Sequence, residues 1–204
     1  MARIIVAPLF LFFALVILFI SVYKASTLKY DFQYLPNISA TKIIKGVDYN
    51  LPYPGNVHPN SILWPVKVMR DKALLLFKQD YLSKAEISLL LADKRLGSSI
   101  VMYRRGDYEN GVVAAKKSGM YLENSYNYMI EAKEQGVDVK EFANTLAMAS
   151  LKHWQVLESL RISSPEDAQP IINQINDYAR LVNEKTTQLL NESGQTPPPN
   201  PFNN

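Results

Sequence analysis

The chain begins with an uncharged apolar run, its strongest hydrophobic pattern. Residues 4–22, IIVAPLFLFFALVILFISV, contain no charged side chain. A helix of that length rises about 28 Å at about 1.5 Å per residue, which matches the roughly 30 Å hydrocarbon core of a bilayer. The pattern therefore predicts a single transmembrane helix within residues 1–23, with the lipid bilayer as the partner of residues 4–22.

The apolar run has two alternative interpretations, an uncleaved signal anchor or a removable signal. The run exceeds the 7 to 15 apolar residues of a secretory signal, and bulky Tyr23 lies close to the best candidate cleavage point after Ala25. Both observations favour an anchor. The positive charges on the two sides of the run nearly balance, with Arg3 before it and Lys24 and Lys29 after it. The positive-inside rule therefore leaves both membrane orientations open.

Two further segments lack the 3.6-residue periodicity of a helix. Residues 24–60 are rich in Pro, Asn and Tyr, which predicts an extended stalk after the anchor. The last residues, 194–204, contain QTPPPNPFNN, and this composition predicts a disordered tail. Between these segments, residues 61–193 have room for one compact domain.

Residues 61–193 show helical periodicity almost throughout. The pattern predicts five helices at about 62–79, 82–105, 108–135, 138–161 and 165–192, and therefore an all-α antiparallel bundle. Apolar residues at steps of three and four form one face on each helix. In chain order these faces comprise Ile62, Val66, Met69, Ala73 and Leu76; Leu82, Ala85, Leu89, Ala92, Leu96 and Tyr103; Val112, Ala115, Gly119, Leu122, Tyr126 and Met129; Phe142, Leu146, Ala149, Val156 and Leu160; and the inward-facing Ile171, Ile175, Tyr178, Val182 and Leu189.

Several residues match the preferences of helix ends. Gly136 and Gly194 follow predicted helices, where a glycine C-cap is common. Asp138 with Glu141 three residues later has the spacing of a capping box. Pro165 suits the first turn of the fifth helix.

Charge and cysteine content narrow the possible partners and compartments. The formal net charge is +3, and no basic tract suited to nucleic acid is present, so we expect no nucleic-acid binding. The chain has no cysteine. Disulfides are therefore excluded, but export is not.

No residue pattern indicates catalysis, a metal or a cofactor. His58 and His153 are the two histidines of the chain, too few for an ordinary zinc site without cysteine. His153 falls on the apolar stripe, which favours a core histidine. Acidic residues at Glu86, Asp93, Glu123, Glu131 and Glu158 are expected on solvated faces. We therefore predict a protein that is not an enzyme; a cell-wall hydrolase with paired carboxylates is the enzymatic alternative.

Residues 98–118 resemble the turn between the two helices of a tetratricopeptide unit. Tyr103, Gly106, Asp107 and Tyr108 fall where such repeats place an aromatic residue, a turn glycine and the start of the next helix. The match covers one unit, whereas a stable solenoid needs about three. Tyr103, Tyr108 and Trp154 are accordingly candidates for an interaction surface, with Leu157 as a further apolar position.

A longer stretch, residues 50–135, resembles a bacterial family described as a domain of unknown function, family 5667. The matching residues are Tyr53, Pro54, Gly55, Pro59, Trp64, Lys67, Ala92, Arg95 and Leu96. The resemblance implies an exported or membrane-anchored helical domain outside the cytoplasm, and it supplies no catalytic residue. Gly97 departs from the family pattern, which keeps Ala or Glu there. We expect this glycine to permit a close contact between helices.

The leading hypothesis from these patterns is a single-pass protein of the bacterial cell envelope. Its helical bundle would bind an unknown protein or envelope partner on the extracytoplasmic side and would not catalyse a reaction. The alternative is a tetratricopeptide-like adaptor that faces the cytoplasm. The orientation of the bundle distinguishes the two.

Overall fold

A computed structural model describes Ala14, Ile17 and residues 46–202 of the chain. The chain separates into two compact units, residues 1–30 and 31–204. Of the first unit, Ala14 and Ile17 are described, and both are helical and exposed. Everything below concerns the second unit.

Five helices and no strand make up the regular structure of residues 46–202, which confirms the predicted all-α fold. The helices are α1 (Trp64–Phe77), α2 (Tyr81–Arg104), α3 (Tyr108–Glu134), α4 (Lys140–Ile162) and α5 (Gln169–Glu192). Each lies within a few residues of its predicted range. As the apolar pattern indicates, α2 contributes more buried residues than any other described helix.

Side-chain caps and glycines set the helix ends. Asp80 accepts a hydrogen bond from the Ser83 amide (2.7 Å) at the start of α2, and such caps satisfy amides that have no partner inside the helix. Gly106 and Gly136 follow α2 and α3 with φ of 73° and 81°, a left-handed conformation that glycine adopts without strain. Asp138 accepts from the Lys140 amide (3.1 Å), although the residue immediately before α4 is Val139.

Helices α2 to α5 form the bundle as two antiparallel hairpins. Helix α2 packs mainly on α3 and α4 mainly on α5, while α3 contacts α5 and α2 contacts α4. The start of α2 meets the end of α3, since Ser125 Oγ donates to the Ala85 carbonyl (2.8 Å). At the other end, Ser99 Oγ donates to the Gly111 carbonyl (2.7 Å). Helix α1 lies on the outside and contacts α2.

Small residues allow α2 and α3 to approach closely. Their buried positions include Ala85, Ser88, Ala92, Ser98 and Ser99 on α2 and Gly111, Ala114, Ala115, Ser118 and Ser125 on α3. The serine hydroxyls in this contact have backbone or side-chain acceptors in most cases, so they are buried at low cost. The larger side chains of α4 and α5 fill the other half of the core.

The described parts of the predicted stalk and tail lie against the bundle. Val47, Leu51 and Pro54 are buried, because the bundle offers their apolar side chains a dry surface that an extended stalk lacks. Near the C-terminus, the Phe202 ring stacks on Trp154 with centroids 4.3 Å apart. Residues 46–60 are therefore not an extended stalk, and residues 195–202 contact the bundle where composition alone indicates disorder.

On α4 and α5, two positions differ from the sequence expectation. Ile171 is exposed, and its neighbour Ile172 is buried in its place, because α5 begins at Gln169 and turns Ile172 toward the core. Leu157, considered as an exposed interface position, is buried. His153, in contrast, lies in the core as its position on the apolar stripe indicates.

None of the helices within the described residues combines the length and the apolarity of a membrane span. The predicted span at residues 4–22 lies outside the described residues, apart from Ala14 and Ile17.

We expect Gly111→Ala to destabilise the bundle, although alanine in a helix is usually favoured over glycine by up to about 1 kcal/mol. A Cβ at Gly111 would overlap the Tyr103 ring. The Tyr103 hydroxyl is hydrogen-bonded to Ser164 (2.8 Å), so the ring has little freedom to move. Overpacking of this kind costs about 1–3 kcal/mol.

The measurement is urea denaturation followed by circular dichroism. Gly46→Ala is the control, since its Cβ would meet nothing within 4 Å, and we expect a change within about 0.5 kcal/mol. Equal stability of Gly111→Ala and the wild type would contradict the tight contact.

Candidate functional site

The apolar face of α1 is exposed instead of packed on the bundle. Ile62 is 92% exposed, Leu76 81% and Met69 63%. These are residues of the apolar stripe that the sequence pattern identifies, and a stripe of this kind normally faces the core. We call the exposed set Ile62, Leu63, Val66, Met69, Leu76 and Phe77 the α1 apolar face. Burying one such side chain typically stabilises a protein by about 1.5–3 kcal/mol.

The opposite side of α1 faces the bundle through a buried ion pair. Asp71 is the one buried residue of α1, with 0% of its surface exposed. Its carboxylate pairs with the Arg95 guanidinium on α2, which is itself 1% exposed, and with Arg70 at 2.7 Å. The Arg95 guanidinium also lies over the Trp64 ring, 4.1 Å from its centroid. A buried charge without a partner is very costly, so this pair fixes which side of α1 turns inward.

Lys67 joins α1 to the preceding segment. Its ammonium group donates hydrogen bonds to the Pro54 carbonyl (2.7 Å) and the Val57 carbonyl (2.9 Å). Burial, together with the positive charge of Arg95, lowers the pKa of Lys67 to about 7. Gly55 adopts φ of 81° in the turn between these two carbonyls, a conformation that favours glycine.

The residues that carry the family resemblance converge beneath α1. Pro54, Gly55, Trp64, Lys67 and Arg95 belong to the contacts just described. Of the remaining motif residues, Leu96 is fully buried in the core, Pro59 is half-buried and Tyr53 is exposed. The motif therefore describes how the segment before α1 and α1 itself are held on α2.

Gly97 supports the same attachment from α2. A Cβ at this position would lie 3.2 Å from Pro54. The glycine thus permits a close contact, but its nearest neighbour is Pro54 in the turn before α1 and not another helix as expected from the sequence.

A second polar cluster lies in the bundle core. His153 Nε2 is 2.8 Å from Asp93 Oδ1, and Ser118 Oγ is 3.2 Å from His153 Nδ1. Tyr49 donates to the other Asp93 oxygen at 2.7 Å. Burial and the Asp93 carboxylate raise the pKa of Tyr49 far above its usual value. Asp93 is 2% exposed, so the expectation that it lies on a solvated face is wrong.

This cluster contains the residue types of a hydrolytic triad, namely Ser118, His153 and Asp93. Ser118 and His153 are both 0% exposed, however, and a nucleophile and its base must reach a substrate. The arrangement instead joins three helices and residue 49 through hydrogen bonds. Such satisfied buried networks favour one packing of a core over others.

A cleft of about 110 Å³ lies beside the segment before α1. Its walls are mainly apolar or aromatic, and Arg104 and Lys152 contribute its cationic groups. The lining residues are Tyr49, Asn50, Leu51, Pro52, Tyr53, Pro54, Gly97, Ile100, Val101, Arg104 and Lys152. Within the described part of the chain, no group of three His, Cys, Asp or Glu residues is placed to hold a metal ion.

Of the three residues proposed as an interaction surface, the structure pairs Tyr103 with Tyr108 and places Trp154 in a different set of contacts. Tyr103 is buried and packs edge-on against Tyr108, with ring centroids 5.3 Å apart. Tyr108 is partly exposed. Trp154 lies on α4, between the Phe202 ring and the Arg180 guanidinium, whose Cζ is 4.9 Å from the Trp154 centroid. These residues form part of the packing, and Tyr103 offers little surface to a partner.

Comparison with known proteins yields no match to a family model, to a curated protein or to a solved structure. The resemblance to family 5667 stays a prediction.

We expect Asp71→Ala to lower the free energy of unfolding by about 3–5 kcal/mol, because it leaves the Arg95 charge buried without its partner. Lys72→Ala is the matched control, since the neighbouring Lys72 is exposed, and its effect should stay within about 0.5 kcal/mol. Chemical denaturation measures both. A loss below about 1 kcal/mol for Asp71→Ala would show that the ion pair does not hold α1.

We expect acid to destabilise the attachment of the segment before α1 through His58. Burial, together with the charges of Lys67 and Arg105, lowers the pKa of His58 from 6.5 to about 4. Between these values the unfolded chain binds the proton more readily than the folded chain. The contribution of His58 to stability is therefore complete above about pH 6.5 and is lost as the pH falls through about 4.

The test compares the unfolding free energies of the wild type and His58→Gln from pH 7 to pH 4. The wild type should lose stability relative to the variant as the pH falls. A difference that does not change with pH would mean that the imidazole is solvated in the folded state.

Proposed function

We propose that the chain is a single-pass membrane protein that presents a non-catalytic helical bundle on the extracytoplasmic side, where it binds a protein or an envelope component. The observation that carries the proposal is the α1 apolar face. Four large apolar side chains of α1 are exposed there, and Ile62 and Leu63 just before the helix are exposed beside them. Contiguous exposed apolar patches of this kind mark interaction surfaces.

The way α1 is attached supports a surface with a role in binding. The Asp71–Arg95 pair and the Lys67 hydrogen bonds hold its polar side against the bundle. The apolar side is therefore presented outward on a helix whose orientation is fixed. A rigid, correctly oriented surface binds with a smaller loss of conformational entropy than a flexible one.

The membrane part of the proposal rests on the apolar run at residues 4–22. A non-catalytic role is supported by the burial of Ser118 and His153, which places the triad-like cluster out of reach of a substrate. The extracytoplasmic side is supported by the resemblance to family 5667. An adaptor that docks peptides at Tyr103 gains less support, because Tyr103 packs against Gly111 and bonds to Ser164.

The absence of native cysteine allows a direct test of membrane attachment and orientation. We expect Gln195→Cys, at an exposed position after α5, to be labelled by a membrane-impermeant maleimide in intact cells and to sediment with membranes. The cysteine-free wild type controls for background labelling. Labelling that requires lysis would place the bundle in the cytoplasm and favour the adaptor. Recovery in the soluble fraction would contradict the membrane anchor.

A further inference from the structure

We propose that the α1 apolar face lies on the surface of a lipid bilayer, as an interfacial helix parallel to the membrane. This inference rests on the proposed membrane attachment and names the component of the envelope that the bundle contacts. The bilayer would receive the apolar side chains below its phosphate groups, while the bundle stays in water on the other side of α1.

The angular arrangement of α1 fits an interfacial helix. At about 100° per residue, Val66, Ala73 and Leu76 lie within about 60° of Met69 around the helix. Arg70 and Lys72 stand at the two borders of this arc. An apolar arc with basic residues at its edges places hydrocarbon in the membrane and cations at the level of the phosphates.

The charge of this segment complements an anionic surface. Residues 62–78 contain Lys67, Arg70, Lys72 and Lys78, and Asp71 as their one acidic residue. Asp71 points away from the apolar face and is neutralised by its ion pair with Arg95. Arg70 also pairs with Asp71, and Lys67 donates to backbone carbonyls. The exposed cations of this segment are therefore Lys72 and Lys78, and juxtamembrane basic residues are attracted to anionic lipids.

A second copy of the chain fits this face less well. Two α1 helices packed face to face would bring the exposed Lys72 borders of both copies together, and like charges at such a contact disfavour association. A membrane instead offers hydrocarbon to the apolar side chains of α1 and anionic headgroups to the basic side chain at the edge of the apolar arc. Its flat surface also suits a single convex helix on the outside of the bundle.

Chain connectivity brings a bilayer within reach. Residues 23–45 join the apolar run to the described segment and span at most about 80 Å when fully extended. If residues 4–22 enter the membrane, α1 encounters that membrane at a high effective concentration. Even a helix with a weak affinity for the interface is then bound to the bilayer for much of the time.

The experiment measures the environment of α1 in the full-length chain, inserted into nanodiscs of phosphatidylcholine and phosphatidylglycerol. The single-cysteine variants are Met69→Cys on the α1 apolar face and Asp177→Cys on α5, whose side chain is 70% exposed. Each carries an environment-sensitive fluorophore. Iodide reports access from water, and nitroxide-labelled lipids report contact with hydrocarbon.

We expect the label at Met69 to be quenched by the nitroxide lipids and to show an iodide quenching constant about threefold or more below that at Asp177. Lys72→Glu in the Met69→Cys background should reduce this protection. Lys116→Glu, an exposed charge reversal on α3, should leave it unchanged. Circular dichroism verifies that the variants remain folded.

Other outcomes separate the inference from the function on which it rests. A chain that inserts into nanodiscs but exposes Met69 to iodide as fully as Asp177 would overturn the bilayer contact and leave membrane attachment intact. Protection from iodide without quenching by nitroxide lipids would identify a protein contact, either a partner or a second copy, and would also overturn it. A chain that does not insert at all would overturn both proposals.

Discussion

The arrangement of the outer helix depends on one interaction, the buried ion pair between Asp71 and Arg95. Both side chains are removed from water, and each is tolerated there because the other is present. Asp71 lies on the side of α1 opposite the apolar stripe. Once Asp71 turns inward to meet Arg95, the apolar stripe must turn outward. The exposure of the α1 apolar face therefore follows from the pairing of two charges, because the orientation that buries Asp71 leaves the apolar side chains of α1 in contact with solvent.

The contacts around this pair make the attachment of α1 specific. Trp64 covers the Arg95 guanidinium, and Lys67 binds the carbonyl groups of the turn at Gly55. Further inside, the cluster of Tyr49, Asp93, His153 and Ser118 links the same N-terminal segment to α2, α3 and α4. Polar contacts therefore hold the segment before α1 at two places, the turn at Gly55 and the side chain of Tyr49. Apolar packing dominates the four-helix core beneath them.

The periodicity of the sequence predicts the bundle well and the candidate surface poorly. The stripes of α2, α3 and α4 lie in the core or against it, because in those helices hydrophobic burial decides the orientation. For α1 the same rule identifies the apolar residues but assigns them to the wrong environment. Nothing local in the sequence indicates that Asp71 pairs with an arginine on the next helix. Trp64, Lys67 and Arg95 stand out through the family-like motif, whereas their acidic partner does not.

The cluster around His153 shows a similar limit. The inward position of His153 is evident from its seven-residue spacing to Leu146 and Leu160 on the apolar stripe. The partners of His153 cannot be identified in this way, because Asp93 and Ser118 lie on other helices and their burial depends on how the hairpins pack. Residue types alone therefore suggest neither the network nor its inaccessibility. Helix packing has to be known before the chemistry of these side chains is understood.

The most direct test of the role of the ion pair is a double-mutant cycle on Asp71→Asn and Arg95→Met, measured as unfolding free energies by urea denaturation. If the pair determines the orientation of α1, the stability losses of the two single variants will add up to more than the loss of the double variant. The difference, which is the coupling energy, should be about 1–3 kcal/mol. Losses that add to within about 0.3–0.5 kcal/mol would show that the two charges act independently and that another contact orients the helix.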